Sequence, residues 1–269
     1  MNPEPITFEA LNDAIEGGET EFLAKRFERI MFPATLTDVL FKHCEFIACT
    51  FSSGTLRNTR FEHCQFYEEA TTQGCAFRYC DLSHASFTQC DLRHCDFSQS
   101  NWYDLTISDC RGLGLNGRGV SNQKQVNERV SLQSLTVRNT DLTLSDFAHA
   151  DLGDSTFYDC RCKEADWTEA NLSGSRIIQC DLTGGQFDRA LIEEVDLSES
   201  LFNSIDVRHV SLQGVRVTSA ASCSRTTSRP SARVRHALSV GRSVGRSVTV
   251  HSHGAPSSPS FPARKTSPT

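Results

Sequence analysis

The residues best suited to chemistry sit in three dipeptides, His43-Cys44, His63-Cys64 and His94-Cys95. Imidazole and thiolate are the usual zinc ligands. The chain holds 12 Cys and 9 His, enough for metal sites or disulfides. A second candidate is Gly112-Leu113-Gly114-Leu115-Asn116-Gly117, which fits the G-x-G-x-x-G loop that receives a dinucleotide pyrophosphate. A third is the supply of 33 Asp and Glu, from which paired carboxylates for acid–base work could be drawn.

Such chemistry depends on the elements that hold the side chains. From Leu132 every fifth residue is apolar: Leu132, Val137, Leu142, Phe147, Leu152, Phe157, Cys162, Trp167, and onward without a slip to Val217. Two residues before each lies a smaller one, such as Thr140, Ser145, Ala150, Ser155, Cys160 and Ala165. Neither a helix of period 3.6 nor a strand of period 2 gives this pattern. A unit with one large and one small inward side chain cannot bury its own apolar face. Units must wind and stack, so that neighbouring coils share a continuous core.

That frame reassigns the candidates. Cys44, Cys49, Cys64, Cys75, Cys80, Cys90, Cys95, Cys160 and Cys180 fall on the small inward site, as does Cys110 if the register runs on. The His before a Cys then points outward, and the two diverge. No C-x-x-C pair occurs, so the cysteines read as small apolar fillers. The glycine run has repeats on both sides, where a dinucleotide site needs a strand before it and a helix after it. A filled solenoid offers no pocket for paired carboxylates. An enzyme is therefore not expected, nor a metal or cofactor.

The chain divides into three parts. Residues 1–33 read as a cap: Phe8, Leu11 and Ile15 share one face of a short helix that Gly17-Gly18 would stop. Phe22, Phe27 and Phe32 already stand five apart. Residues 34–217 form the rod. Its first block runs from Leu36 to Phe66 and its second from Phe77 to Ile107. Phe77 follows Phe66 by eleven, so Tyr67–Gly74 must leave the coil as a loop. A longer loop is expected over 112–130, because Gly112, Gly117, Asn122 and Asn127 stand where Leu or Phe belongs. The stretch Ser121–Arg129 is too polar for a core. Leu132, 25 residues after Ile107, returns in phase. Residues 218–269 are rich in Ser, Arg and Pro and are expected to be disordered. No run of 18 apolar residues exists to span a membrane, and Met1-Asn2-Pro3-Glu4-Pro5 lacks a secretory pattern, which gives the cytoplasm as the default location.

Units such as Ala150-Asp151-Leu152-Gly153-Asp154 and Ala170-Asn171-Leu172-Ser173-Gly174 resemble the pentapeptide-repeat family, with its A(D/N)LXX signature. That resemblance implies an all-β fold, a right-handed quadrilateral parallel β-helix with four units per coil. Thirty-two units would then make eight coils, a rod of roughly 38 Å at about 4.8 Å per coil.

Outward residues twenty apart would stack along such a rod. Asp146, Asp166 and Asp206 share a column that Gln186 interrupts, with Glu169 beside it. Residues 218–269 carry eight Arg or Lys and no acid, which leaves 19 basic and 33 acidic residues on 1–217, a net of −14. Carboxylates repeated along a rod produce a directional negative field, as duplex DNA does with its phosphates. The same charge would also serve solubility alone.

A closer resemblance lies in the interruptions. Cys64-Gln65-Phe66-Tyr67-Glu68-Glu69-Ala70-Thr71-Thr72-Gln73-Gly74-Cys75-Ala76-Phe77 resembles the first loop of the Qnr quinolone-resistance proteins. Ser121-Asn122-Gln123 opens a segment similar to their larger loop. Ala165-Asp166-Trp167-Thr168-Glu169-Ala170-Asn171-Leu172-Ser173-Gly174, and Asp206 to Val215, resemble their later repeats. This implies a DNA mimic that binds bacterial DNA gyrase and topoisomerase IV and protects them from fluoroquinolones, with no direct contact to nucleic acid or membrane. The implied contacts are Tyr67, Glu68, Glu69, Thr71, Thr72 and Gln73 on one loop. On the other they are Ser121, Asn122, Gln123, Lys124, Gln125, Asn127, Glu128 and Arg129. Asp146, Asp166, Glu169 and Asp206 supply the charge. Qnr rods pair through a short C-terminal helix; the Ser/Arg tail stands in its place here, which argues against a homodimer. A pentapeptide rod that scaffolds a different protein, with the loops as decoration, fits the same repeat.

Overall fold

The computed structural model describes residues 3–126, 129–132, 135–203 and 209–218. The tail beyond 218 and Asp206 lie outside them. The chain winds into a nearly all-β parallel solenoid of about eight turns. One face is a regular parallel sheet of eight short strands, one per turn: Glu21–Leu23, Leu40–Lys42, Arg60–Glu62, Ser86–Thr88, Thr106–Ser108, Thr136–Arg138, Thr156–Tyr158 and Arg176–Ile178. The other three faces are mostly ladders of single bridges, the second starting from a three-stranded parallel sheet of Glu4–Pro5, Lys25–Glu28 and Glu45–Ile47. The second runs Gln65, Asp91, Arg111, Asp141, Arg161, Asp181. The third runs Thr50, Ala76, Asp96, Asn116, Asp146, Asp166, Gln186, and the fourth Thr55, Asp81, Asn101, Ser121, Asp151, Asn171.

Each five-residue unit explains its own residues. The large side chain points inward and is stacked by the one a coil above. Phe41 lies 5.2 Å from Phe61 with rings 7° apart, and Phe51 lies 4.5 Å from Phe77 at 3°. Phe147 stacks on Trp167 at 4.7 Å, and Trp167 on Phe187 at 6.1 Å, as the five-residue period requires. Residue-sized apolar areas leave water here, the main stabilising term of the rod.

The small site is polar for a reason. Ser175 Oγ donates to Leu152 O at 2.9 Å and accepts from Ser155 N–H at 3.2 Å. Cys160 Sγ donates to the Val137 carbonyl at 3.5 Å, and Cys180 N–H donates to Ser200 Oγ at 3.0 Å. A hydroxyl or thiol thus satisfies backbone groups between coils that the ladder leaves over. Burial pushes the Cys80 thiol up to about 12.

The residue before the large one is Asp or Asn because its side chain accepts the N–H two residues on. Asp81 caps Ser83 at 3.1 Å, Asp146 caps Ala148 at 2.8 Å, Asp166 caps Thr168 at 2.9 Å and Asn171 caps Ser173 at 3.1 Å. The residue two after the large one turns the corner in the left-handed region, with φ of 52° at His43, 55° at His63 and 58° at Glu169. Short polar residues and Gly bear that conformation best. These corner side chains face solvent. The His43 and His63 rings stack at 4.7 Å on the outside while Cys44 and Cys64 are buried.

The amino end is closed by a helix, Phe8–Glu16, capped by Thr7 Oγ1 on Ala10 N–H at 3.2 Å and ended at Gly17. Leu11 is wholly buried under the first coil, whereas Phe8 turns outward. The coil already begins at Phe22, which stacks on Phe41 at 5.1 Å.

The expected loop over 112–130 is corrected. Gly112, Gly117 and Asn122 occupy inward sites of an unbroken coil, bridged through Arg111, Asn116 and Ser121 to the coils on both sides. The volume is moved rather than lost: Leu115 and Val120 fill the normally small sites, and both are wholly buried. The next coil supplies the rest, since a Cβ on Gly117 would lie 2.6 Å from Phe147 Cε1 and one on Gly112 3.0 Å from Leu142 Cδ2. The G-x-G-x-x-G run is therefore part of the rod, not a phosphate loop. The insertion itself is a hairpin, Gln123–Val126 against Arg129–Leu132. Leu132 is paired with Gln123 in that hairpin, not in the coil; the coil resumes with Val137 opposite Ile107.

Candidate protein-binding surface

Two hairpins leave the rod. The first pairs Tyr67–Glu68 with Gln73–Gly74, antiparallel. It is docked, not free. The Arg93 guanidinium lies 4.1 Å from the Tyr67 ring centroid. Its Nη2 donates to Glu69 Oε1 at 2.8 Å and to Asp91 Oδ2 at 2.6 Å, and its Nε donates to both Asp91 oxygens at 2.9 and 3.0 Å. The turn is held internally by Thr71 Oγ1 on Glu68 Oε2 at 2.6 Å and Thr72 Oγ1 on Thr71 O at 2.7 Å. The return leg presses on the coil above. A Cβ on Gly74 would meet Cys95 N and the His94 carbonyl carbon at 2.4 Å, so only Gly fits. Glu69, Thr71, Thr72 and Gln73 are exposed, and Tyr67 and Glu68 half-buried.

The second hairpin carries Gln123, Lys124, Gln125 and Arg129 in its strands. Asn127 and Glu128 lie outside the described residues. Ser121 sits at its root in the fourth-face ladder, where its Oγ accepts from Gln123 N–H at 3.2 Å. Gln123 Nε2 donates to Asp151 Oδ2. Asn122 is corrected as a contact residue. It is wholly buried, its Nδ2 donating to Gly153 O at 2.7 Å and to Ser155 Oγ at 3.0 Å, with Oδ1 unpartnered.

The hairpins are not brought together. One leaves after Phe66, between the second and third faces; the other leaves after Asn122, between the fourth and first. Ten units separate them, from Phe77 to Asn122. They therefore project from opposite corners, roughly 12 Å apart along the axis.

The acidic column that spacing singles out does stack: Asp146, Asp166 and Gln186 are bridged in turn. Its charge is partly used within the rod. Arg118 reaches Asp146 at 3.3 Å. Glu169 meets both Arg189 and His149 at 3.1 Å. On this third face Asp96, Asp146, Asp166, Glu169 and Asp188 are set against Arg78, Arg118 and Arg189. The fourth face is different. Asp38, Asp81, Asp104, Asp151, Asp154, Glu193 and Glu194 share it with Arg57 and with His84, whose Nδ1 lies 2.8 Å from Asp104. Arg57 is held by Asp81 at 2.6 Å. Burial pushes the Asp81 carboxyl up, but hydrogen bonds from Ser83 and Arg57 bring it below the usual range overall. The larger surplus of negative charge therefore belongs to the face from which the second hairpin rises. Residue types and period alone missed this, because neutralising pairs such as Arg118–Asp146 span two coils. Arg93 was missed likewise, although its place one coil after Tyr67, 26 residues on, puts a cation over an aromatic ring.

Comparison with known proteins places this geometry. Residues 34–116 match the family description "Pentapeptide repeat region", and residues 155–193 match "Pentapeptide repeats (8 copies)". The quinolone resistance pentapeptide repeat protein QnrB96 of Scandinavium goeteborgense is 32% identical over 127 residues, 47% of this chain and 58% of that protein. The match thus spans little more than half of that relative. The full-length structure of QnrB1, a plasmid-mediated fluoroquinolone resistance protein, superimposes with a TM-score of 0.54 at 28% identity, covering 74% of this chain and 93% of QnrB1. A trypsin-treated form gives 0.56 at 28% identity over 84% and 98%.

Proposed function

This chain is a pentapeptide-repeat protein of the Qnr type, and from that premise we propose that it is a DNA mimic that binds bacterial DNA gyrase and topoisomerase IV and shields them from fluoroquinolones. It acts as a binding protein, not as an enzyme. The observation that carries this reading is the fourth face: seven carboxylates against one arginine and one histidine along the rod, beside a projecting hairpin. A positively charged DNA-binding surface is drawn to such a row of anions over a distance set by ionic strength. The two hairpins then fix register, through the exposed Glu69, Thr71, Thr72 and Gln73 on one side and the strand Gln123–Val126 on the other. Asp146, Asp166 and Glu169 take a secondary part, since caps and ion pairs already engage them.

The test is a gyrase supercoiling assay inhibited by ciprofloxacin. Purified protein restores supercoiling, and deleting Tyr67–Gly74 or Gln123–Leu132 reduces the restoration. Full restoration by both deletants would remove the hairpins from the mechanism. Failure of the intact protein to bind gyrase, with capture of another partner, would favour a scaffold.

A further inference from the structure

Arg93 belongs to the rod, yet three of its contacts shape the first hairpin or its seat. Its side chain is only 22% exposed, whereas Glu69, which it holds, is 76% exposed. Asp91 beneath it fixes the guanidinium through both oxygens, so the fork is oriented before it meets the hairpin. The plane then lies over Tyr67, and Nη2, which also donates to Asp91, takes Glu69 from the apex of the hairpin. A planar guanidinium suits this double task, while an ammonium offers one point charge. The His94 ring also packs nearby, 5.6 Å from Tyr67. Gly74 locks the return leg against the backbone of 93–95.

We propose that Arg93 is a positioning residue that holds the Tyr67–Gly74 hairpin in a single conformation before any partner arrives. It acts through Glu69 and Tyr67 and need not touch the partner. An ordered hairpin binds more tightly because the entropy of arranging it is settled in the free protein. The hairpin has no core of its own, and a two-stranded hairpin is marginal alone. The inference rests on the reading that this hairpin contacts the topoisomerase.

Two readouts separate the inference from that reading. Amide hydrogen exchange over residues 67–74 is measured on the free protein, and the midpoint of gyrase protection against ciprofloxacin is measured on the same preparations. R93A should speed exchange in the hairpin and raise the protection midpoint about tenfold, consistent with losing one or two ordered side chains. R93K keeps a cation beside Asp91, guarding against collapse of the rod, and should fall between R93A and the parent in both readouts. E69A removes only the apex contact and should loosen the hairpin without changing exchange in the coils. Unchanged exchange over 67–74 in R93A and E69A would overturn the inference whatever gyrase does. Faster exchange with an unchanged protection midpoint would leave the clamp standing but sink the hairpin as a contact, and with it the functional half of the inference.

Discussion

Gly117→Ala decides whether residues 112–122 are rod or loop. In the rod, the new Cβ would sit 2.6 Å from Phe147 Cε1 and 2.7 Å from Cδ1. Ordinary contact needs the ring to retreat by about 1 Å, in an interior packed as densely as a crystal. The ring has nowhere to go. It is stacked on Trp167 at 4.7 Å above and meets Trp102 edge-on at 6.2 Å below. Overpacking of this kind costs about 1–3 kcal/mol, or a fall in Tm of roughly 3–10 °C for a chain of this size. In a solvated loop the same change would instead stabilise by about 0.4–1 kcal/mol, by restricting the unfolded chain. The sign alone separates the two. The assay is urea unfolding followed by circular dichroism, with F147L and G117A/F147L completing a double-mutant cycle. Leu at 147 makes room, so the cycle should show coupling of about 1 kcal/mol or more. A G117A protein as stable as the parent, or a cycle without coupling, would refute the packing argument.

Charge and structure separate on adjacent faces. D154N/E193Q/E194Q should slow association with gyrase several-fold at low salt, with the difference fading as salt rises, and leave stability within about 0.5 kcal/mol of the parent. D146A/D166A should do the reverse, losing about 1 kcal/mol per cap in urea unfolding with little change in association; equal effects of the two sets on binding would erase the distinction between faces. Acid should weaken the rod through Asp81 and Asp181, both held below the ordinary value of 3.8. Burial opposes this at each site. Hydrogen bonds from Ser83 and Arg57 prevail at Asp81, and those from Thr183, with Lys163, at Asp181. A depressed carboxylate contributes stability that is complete above its unfolded value and is lost as pH falls through the folded one. The urea midpoint should therefore drop below about pH 4, and less steeply in D81N.

The five-residue period made the stack of Phe147, Trp167 and Phe187 legible, along with the inward cysteines and the outward histidines beside them. It did so because backbone geometry repeats strictly from unit to unit. Gly112, Gly117 and Asn122 were illegible to the same reading. Their space is filled by Leu115 and Val120 in the same coil and by Leu142 and Phe147 in the next. Residue type at one site says nothing about volume donated from another. The sum of large and small sites within each unit was the signal that would have kept them in the core. Leu132 misled for the opposite reason, because an insertion of whole units preserves phase. The candidate surface was legible as two interruptions and a surplus of acids. The face that keeps its charge depends on partners 20 to 28 residues away in sequence, such as Arg161 for Asp141 and Arg118 for Asp146.

Because the hairpins point in opposed directions from the shaft, no flat receptor can hold both at once. Whatever engages the pair has to clasp the rod from two sides, as jaws do.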